Sequence, residues 1–191
     1  EPAVATRRDF DPSQYSLEEL DRIKLEDGIR IHEATKVELY KYSLDAKVRL
    51  VKPFVLVVSK DTDHAGRLKD LIISQSFFNG YYADKVMEIH SNQSGEEKDE
   101  NVAKLLSLES FDNKIEIVIH VNMLKEGWDV TNLYTIIPLR TAASTTLREQ
   151  TIGRGLRLPY GHRTGVDKVD KLTIVAHDKF QEIIDEANKP D

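Results

Sequence analysis

Short apolar segments alternate with helical patterns along most of this 191-residue chain. The segment Phe54–Val58 contains no polar residue and lies between Lys52-Pro53 and Ser59-Lys60-Asp61, which is typical of a strand buried on both faces. Four more strands are predicted at Val86–His90, Ile115–Val121, Tyr134–Leu139 and Leu172–Ala176, and helices at Thr62–Phe78, Asn101–Leu108, Thr145–Leu156 and Asp178–Asn188. This alternation predicts an α/β fold with a mainly parallel sheet and helices on both faces.

The amino-terminal part has a different pattern. Residues 1–15 contain Pro2, Pro12 and few apolar side chains, so we expect a linker or a disordered lead-in. Ser16-Leu17-Glu18-Glu19 has the form of a capping box that opens a helix, and apolar positions from Ile29 to about Lys47 suggest another helix. We therefore expect residues 16–191 to form one domain with an amino-terminal helical extension, as a fragment of a longer chain.

Composition narrows the class of protein. No apolar run approaches the ~20 residues needed to span a membrane, and no amino-terminal stretch has the layout of a signal peptide. The absence of cysteine excludes disulfides and fits a cytoplasmic location. A net charge of −6 disfavours a dedicated nucleic-acid binder. However, the stretch from Arg140 to Arg163 contains five arginines and a single acid, Glu149. A locally basic surface can therefore still bind phosphates.

Two arginines three residues apart follow a Gln-x-x-Gly turn in the segment Gln150 to Arg157. Arg154 and Arg157 can present two planar forks to one phosphate, and such arginines stabilise the charge that develops in phosphoryl transfer. Taken singly, they could instead pair with Glu149 or cap a helix end. The preceding segment Glu126-Gly127-Trp128-Asp129 favours the phosphate interpretation.

Three polar segments come directly after predicted strands: Ser59-Lys60-Asp61, His90-Ser91-Asn92 and Asn122–Asp129. Ligands of parallel α/β sheets gather at the carboxyl ends of the strands. The three segments are therefore expected to lie along one edge of the sheet.

The fourth, fifth and sixth motifs of the second RecA-like domain of superfamily-two helicases are resembled, in order and spacing, by Val57-Val58-Ser59-Lys60, Ile89-His90-Ser91, Val121–Asp129 and the arginine segment. The amino-acid sequences of the fifth and sixth motifs are most similar to those of the Res subunit of type III restriction enzymes. The resemblance covers about Lys52 to Asn188. It implies a RecA-like fold, the fold of P-loop NTPases, and one motor lobe of an ATP-dependent DNA helicase or translocase.

The resemblance also implies roles at the nucleotide. Arg154 and Arg157 would reach the γ-phosphate of ATP, which a preceding RecA-like domain would hold with Mg²⁺, and Gln150 would help to orient that site. Gly127 would let the backbone approach the nucleotide. Asp129 would contact the ribose or couple its loop to the arginines.

Five residues would contact the nucleic-acid backbone through main-chain or small polar groups: Ser59, Lys60, Ser91, Asn122 and Met123. Asn122 stands where many relatives carry threonine, and Ser59 and Lys60 could equally be a solvated strand end. The implied partners are double-stranded DNA, the upstream RecA-like domain, a nuclease domain after Asp191 and a methyltransferase (Mod) subunit.

Some chemistry is missing from this chain. It has no Gly-x-x-x-x-Gly-Lys-Ser/Thr loop to cradle the α- and β-phosphates, so we expect negligible ATPase activity from the fragment alone. Asp185-Glu186-Ala187-Asn188 imitates an Asp-Glu-Ala-His box but follows the arginine motif instead of preceding it. The six histidines are scattered and suggest no metal cluster.

Two alternatives stay open. One is a lobe of another superfamily-two enzyme, such as a repair or RNA helicase. The other is a non-catalytic nucleic-acid-binding or regulatory module that kept the fold after losing ATP turnover. The intact Arg154, Arg157 and Asp129 disfavour the second alternative, because a module that hydrolyses no ATP does not need them.

Overall fold

The computed structural model describes residues 3–5 (backbone), 14–90, 100, 103–121, 130–139 and 158–175. Six strands form one sheet in the order β1-β6-β5-β2-β4-β3, and every neighbouring pair is parallel. They are β1 (Ala3–Ala5), β2 (Phe54–Ser59), β3 (Val86–His90), β4 (Ile117–Val121), β5 (Leu133–Pro138) and β6 (Thr173–Val175). The helices are α1 (Leu17–Ala46), α2 (Thr62–Ile73) and α3 (Asp167–Asp170). The predicted α/β fold with a parallel sheet is confirmed.

The apolar side chains of β2 point alternately to two hydrophobic cores, as the pleat of a strand requires. One core contains Phe54, Leu56 and Val58 with Leu105 and Leu108 from the segment after β3. The other contains the intervening residues of β2 and the inner faces of both long helices, including Val55, Val57, Leu25, Ile29, Leu68 and Ile72. β2 is thus buried on both faces, as its uninterrupted apolar sequence predicts.

A single 30-residue helix, α1, replaces the two helices expected from the sequence. It begins at the predicted capping box, where the Glu19 N–H donates to Ser16 Oγ at 3.2 Å and the Ser16 N–H donates to Glu19 Oε1 at 3.4 Å. The expectation of a second helix beginning near Ile29 is wrong because α1 passes through Gly28 without a break. Gly28 lies against β5, and a Cβ there would be 2.2 Å from Ile137 Cδ1.

Helix α2 is shorter than predicted and ends at Ile73 instead of Phe78. Ser74 adopts an extended conformation, and its hydroxyl donates to the carbonyl of Leu71 at 2.6 Å. This side-chain bond competes with continuation of the helix. The buried ring of Phe77 then packs in the core from outside the helix.

The amino-terminal residues Ala3–Ala5 form the edge strand β1. The expectation that residues 1–15 are only a linker or a disordered lead-in is therefore wrong for these three residues. Ala3 pairs with Thr173 and Ala5 with Val175. The outer edge of β6 offers a row of backbone donors and acceptors, so pairing requires no distinctive side-chain pattern.

The predicted helices Thr145–Leu156 and Asp178–Asn188 lie outside the described residues. Within the part of the chain that the structure describes, residues 103–106 are helical and a 3-10 turn follows at Ser107–Glu109, close to the predicted helix Asn101–Leu108. None of the described helices combines the length and apolar character that crossing a membrane requires.

Candidate nucleotide and nucleic-acid edge

Four neighbouring strands end at one edge of the sheet. Ser59 and His90, the last residues of β2 and β3, both pair with Val121, the last residue of β4. Val58 pairs with Pro138, the last residue of β5. The chain therefore leaves β2, β3 and β4 toward each of the three predicted polar segments from the same edge, as the sequence predicts. In parallel α/β sheets this is the edge at which ligands bind.

Most of the predicted site residues lie outside the described residues. These are Gln150, Arg154, Arg157, Gly127, Asp129, Ser91, Asn122 and Met123. Their assigned roles stay predictions. The structure describes the other two, Ser59 and Lys60, on the loop between β2 and α2.

Ser59 is fully buried at the end of β2. Its hydroxyl lies 3.2 Å from the carbonyl oxygen of His120 and 3.4 Å from that of Asp61, and it donates within the fold. A nucleic-acid contact by Ser59 would therefore have to use its main chain and not its hydroxyl.

Lys60 has an exposed side chain, whereas its backbone N–H is occupied. The N–H donates to Nδ1 of His64 at 2.9 Å. The next residue, Asp61, is the N-cap of α2, and its Oδ1 accepts the His64 N–H at 2.8 Å. The loop is thus closed by His64 through both its ring and its backbone.

The ring of His64 also contacts α1. His64 Nε2 lies 2.6 Å from Asp21 Oδ2, and the residue is only 7% exposed. Because Nδ1 accepts the Lys60 N–H, Nε2 carries the proton and donates to the Asp21 carboxylate. In the sequence, His64 is one of several scattered histidines. The Asp61-x-x-His64 spacing at a helix start was the available signal, but its partner 43 residues earlier was not visible.

A second polar cluster lies at the opposite, amino end of the sheet, beside the start of β4. Glu116 Oε1 lies 2.8 Å from Nε2 of His32 and 2.9 Å from Nζ of Lys36, both on α1. Burial raises the pKa of Glu116, but the hydrogen bonds and charges of His32 and Lys36 outweigh burial and lower that pKa to about 2. Glu116 is therefore ionised at neutral pH.

Two further groups belong to this amino-end cluster. Glu33 Oε1 lies 3.4 Å from Nζ of Lys36 and accepts the hydroxyl of Tyr82. Burial raises the pKa of Tyr82, and the carboxylate of Glu33 raises it further, so Tyr82 is a neutral donor.

The amino-end cluster also contains a set of possible metal ligands. Ligand atoms of His32, Glu33 and Glu116 lie within 4.8 Å of one another, an arrangement that the scattered histidines of the sequence do not reveal. The ammonium group of Lys36, however, contacts both carboxylates and supplies the positive charge there. Burial lowers the pKa of Lys36, but Glu116 more than offsets this and raises it, so the ammonium form persists. The cluster is an internal ion-pair network, in which Nδ1 of His32 is buried without a hydrogen-bond partner among the described residues.

The chain just beyond Arg157 is held by a third, smaller core. Leu39, Val51, Tyr134 and Val169 form this core, and Tyr42 and Tyr160 pack against it. Nη2 of Arg49 donates to the Pro159 carbonyl, and the Tyr160 hydroxyl donates back to the Arg49 carbonyl at 2.9 Å. The segment that follows the arginine motif is thereby anchored to the chain that leads into β2.

A parallel sheet whose central strands end together at one edge defines an α/β domain of the class that binds ligands along that edge. The family follows from comparison of sequences. Residues 28–159 match the helicase conserved C-terminal domain, and the chain belongs to this family. The predicted RecA-like fold and the resemblance to superfamily-two helicases are confirmed.

Two curated relatives are Res subunits of type III restriction-modification enzymes. The chain is 31% identical over 133 residues to the EcoPI Res subunit of Escherichia phage P1, and 30% identical over 133 residues to the EcoP15I Res subunit of Escherichia coli. Each alignment covers 70% of this chain but only 13% of the relative. The chain therefore spans a small part of the length of these proteins.

A solved structure with a similar fold is domain 2 of the DEAD-box helicase Mss116p, bound to an RNA duplex. The TM-score is 0.48 at 11% identity, and the match covers 98% of this chain and 60% of that chain.

Proposed function

We propose that this chain is the second motor lobe of an ATP-dependent DNA helicase or translocase of the kind found in type III Res subunits. The observation that carries the proposal is the common edge at which β2, β3 and β4 end, because three of the helicase-like segments continue the chain from these strand ends. Family membership and the similarity to two Res subunits support the same assignment.

The proposed chemistry is electrostatic. ATP with Mg²⁺ supplies the phosphoryl group and is held mainly by the preceding RecA-like domain, because this chain has no phosphate-binding loop. Arg154 and Arg157 reach the γ-phosphate when the two lobes close and stabilise the charge that develops there. Gln150 orients this arrangement. Gly127 lets the backbone of its loop approach the nucleotide. Asp129 contacts the ribose or couples the loop to the arginines.

The proposed DNA contacts come, in sequence, at the ends of these strands: Ser59 and Lys60 at the end of β2, Ser91 after β3, and Asn122 and Met123 after β4. They would touch the sugar-phosphate backbone, which positions a motor without reading sequence. Opening and closing of the lobes would then move the protein along double-stranded DNA in the cytoplasm. A downstream nuclease domain and a methyltransferase (Mod) subunit complete the proposed assembly.

The test is DNA-stimulated ATP hydrolysis by the full-length parent protein. Arg157→Ala is expected to lower turnover about a thousandfold while ATP binding and folding persist, because it removes an arginine finger. The matched control is Arg30→Ala, at an exposed arginine of α1 outside the predicted motifs, and it should retain turnover. Unchanged turnover in Arg157→Ala would replace the motor assignment with that of a binding module.

A further inference from the structure

We propose that His64, hydrogen-bonded to Asp21, positions the loop between β2 and α2. In this position the Lys60 ammonium group is the part of the loop that contacts a nucleic-acid phosphate. This inference rests on the proposed function, which places the loop at the DNA-binding edge. It adds two residues, His64 and Asp21, that no motif assignment includes, and it selects the side chain of Lys60 over its main chain.

The hydrogen bonds of the loop carry the first step. The hydroxyl of Ser59 donates to the carbonyl of His120, and the Lys60 N–H donates to Nδ1 of His64. The carboxylate of Asp61 accepts the His64 N–H. These three groups are therefore engaged inside the fold and are not free to meet a phosphate.

The side chain of Lys60 is the one basic group in Ser59-Lys60-Asp61. It is exposed, and among the residues that the structure describes no carboxylate forms an ion pair with it. A lysine ammonium is a compact point charge on a flexible stem and suits a phosphate oxygen without demanding a fixed geometry. The loop is thus suited to a backbone contact that is independent of base sequence.

The Asp21 carboxylate explains why His64 can act in this way. An imidazole accepts a hydrogen bond only at its unprotonated nitrogen, so the Lys60 N–H needs Nδ1 to be free of a proton. Asp21 accepts the proton-bearing Nε2 at 2.6 Å and so selects that tautomer and ring orientation. Asp21 lies on α1, near the start of a helix that packs against the sheet through Leu25 and Ile29. The Asp21 bond is needed because an imidazole has two tautomers, so an amide acceptor at position 64 would hold the Lys60 N–H without it.

Two conservative substitutions separate the two bonds of the His64 ring. His64→Asn retains a hydrogen-bond acceptor near the position of Nδ1, but its side chain is too short to contact Asp21. His64→Gln keeps a donor near the place of Nε2 and loses the acceptor for the Lys60 N–H. If positioning of Lys60 matters, the two variants must differ in DNA dependence, whereas loss of general packing should affect both alike.

The experiment measures ATP hydrolysis by the full-length parent as a function of DNA concentration and salt. His64→Gln should raise the DNA concentration for half-maximal turnover about tenfold while turnover at saturating DNA persists, and His64→Asn should stay within about twofold of wild type. Lys60→Ala should give the same rise and reduce the salt dependence by about one counterion. The double variant Lys60→Ala with His64→Gln should require no more DNA for half-maximal turnover than Lys60→Ala alone. His162→Gln, at an exposed histidine, is the control.

Four results would overturn the inference. They are equal effects of the two His64 variants in proportion to their loss of thermal stability, additive effects of His64→Gln and Lys60→Ala, an unchanged DNA dependence in Lys60→Ala, or an unchanged DNA dependence in His64→Gln. Failure of the proposed function has a different signature, namely unchanged turnover in Arg157→Ala. If Arg157→Ala abolishes turnover while His64→Gln leaves the DNA dependence unchanged, the inference alone is wrong.

Discussion

His32 and Glu116 are 84 residues apart in sequence, yet Nε2 of His32 lies 2.8 Å from Oε1 of Glu116. The contact joins the middle of α1 to the residue that precedes β4. His32 is fully buried, and Glu116 is 7% exposed. Because Lys36 adds its ammonium group to the same carboxylate, α1 is bonded to the amino end of the sheet by an internal charged network. Helix α1 is therefore an integral part of this domain.

This network predicts a pH-dependent stability. The folded-state pKa of Glu116 is about 2 against an ordinary 4.5, so the unfolded state binds more protons as the pH falls. The stabilisation is fully present above about pH 4.5 and is lost as the pH falls toward about 2. At neutral pH, Glu116→Gln should lower the free energy of unfolding by about 3 kcal/mol. Urea denaturation at decreasing pH should show the gap between the two proteins narrowing.

The control for that measurement is Asp112→Asn, at an exposed acid in the turn before β4. Its unfolding free energy should stay within about 0.5 kcal/mol of wild type at every pH. A gap between wild type and Glu116→Gln that does not change with pH would contradict the ionised role of Glu116.

The contact of α1 with β5 predicts opposite effects at two helical glycines. Gly28→Ala places a Cβ 2.2 Å from Ile137 Cδ1 and should destabilise the protein, because overpacking costs about 1–3 kcal/mol and exceeds the gain in helix propensity of about 1 kcal/mol. Gly66→Ala in α2 meets nothing within 4 Å and should stabilise the protein by up to about 1 kcal/mol. Thermal and urea unfolding of both variants would measure the difference in sign.

Rescue identifies the cause at Gly28. Ile137→Ala removes both Cδ1 and Cγ1, which a Cβ at residue 28 would approach to 2.2 and 2.6 Å, so Gly28→Ala should be less destabilising in that background than in wild type. If the two substitutions are simply additive, the close approach of Gly28 to Ile137 is not what limits position 28.

The core beneath the segment after the arginine motif depends on Tyr134. The buried hydroxyl of Tyr134 donates to the Val169 carbonyl at 2.7 Å. Tyr134→Phe leaves that carbonyl without its donor and should cost about 1–3 kcal/mol in the free energy of unfolding. Tyr40→Phe, at a tyrosine that is 55% exposed, should change stability by less than about 0.5 kcal/mol. Equal effects would show that the hydroxyl of Tyr134 contributes no net stability.

The strands at the centre of the sheet were predictable because their amino-acid composition is decisive. Phe54–Val58 has apolar residues at every position, three of them valines, and Pro53 and Ser59 bound the run, which is typical of a strand covered on both faces. The helix start at Ser16 was predictable for a similarly local reason, since the capping box satisfies backbone donors within four residues. The common carboxyl edge then followed from strand direction alone.

Interactions between distant segments were not predictable in this way. Ala3–Ala5 becomes a strand only because β6 presents an unpaired edge, and α1 continues through Gly28 because Ile137 packs against it. The partners of His32 and His64 come from segments 84 and 43 residues away. Local sequence therefore specified the buried strands, the helix cap and the order of the motifs, because those depend on neighbouring residues. The folded chain selected the partners of buried polar groups, since desolvation favours a hydrogen bond wherever the packing brings a partner within reach.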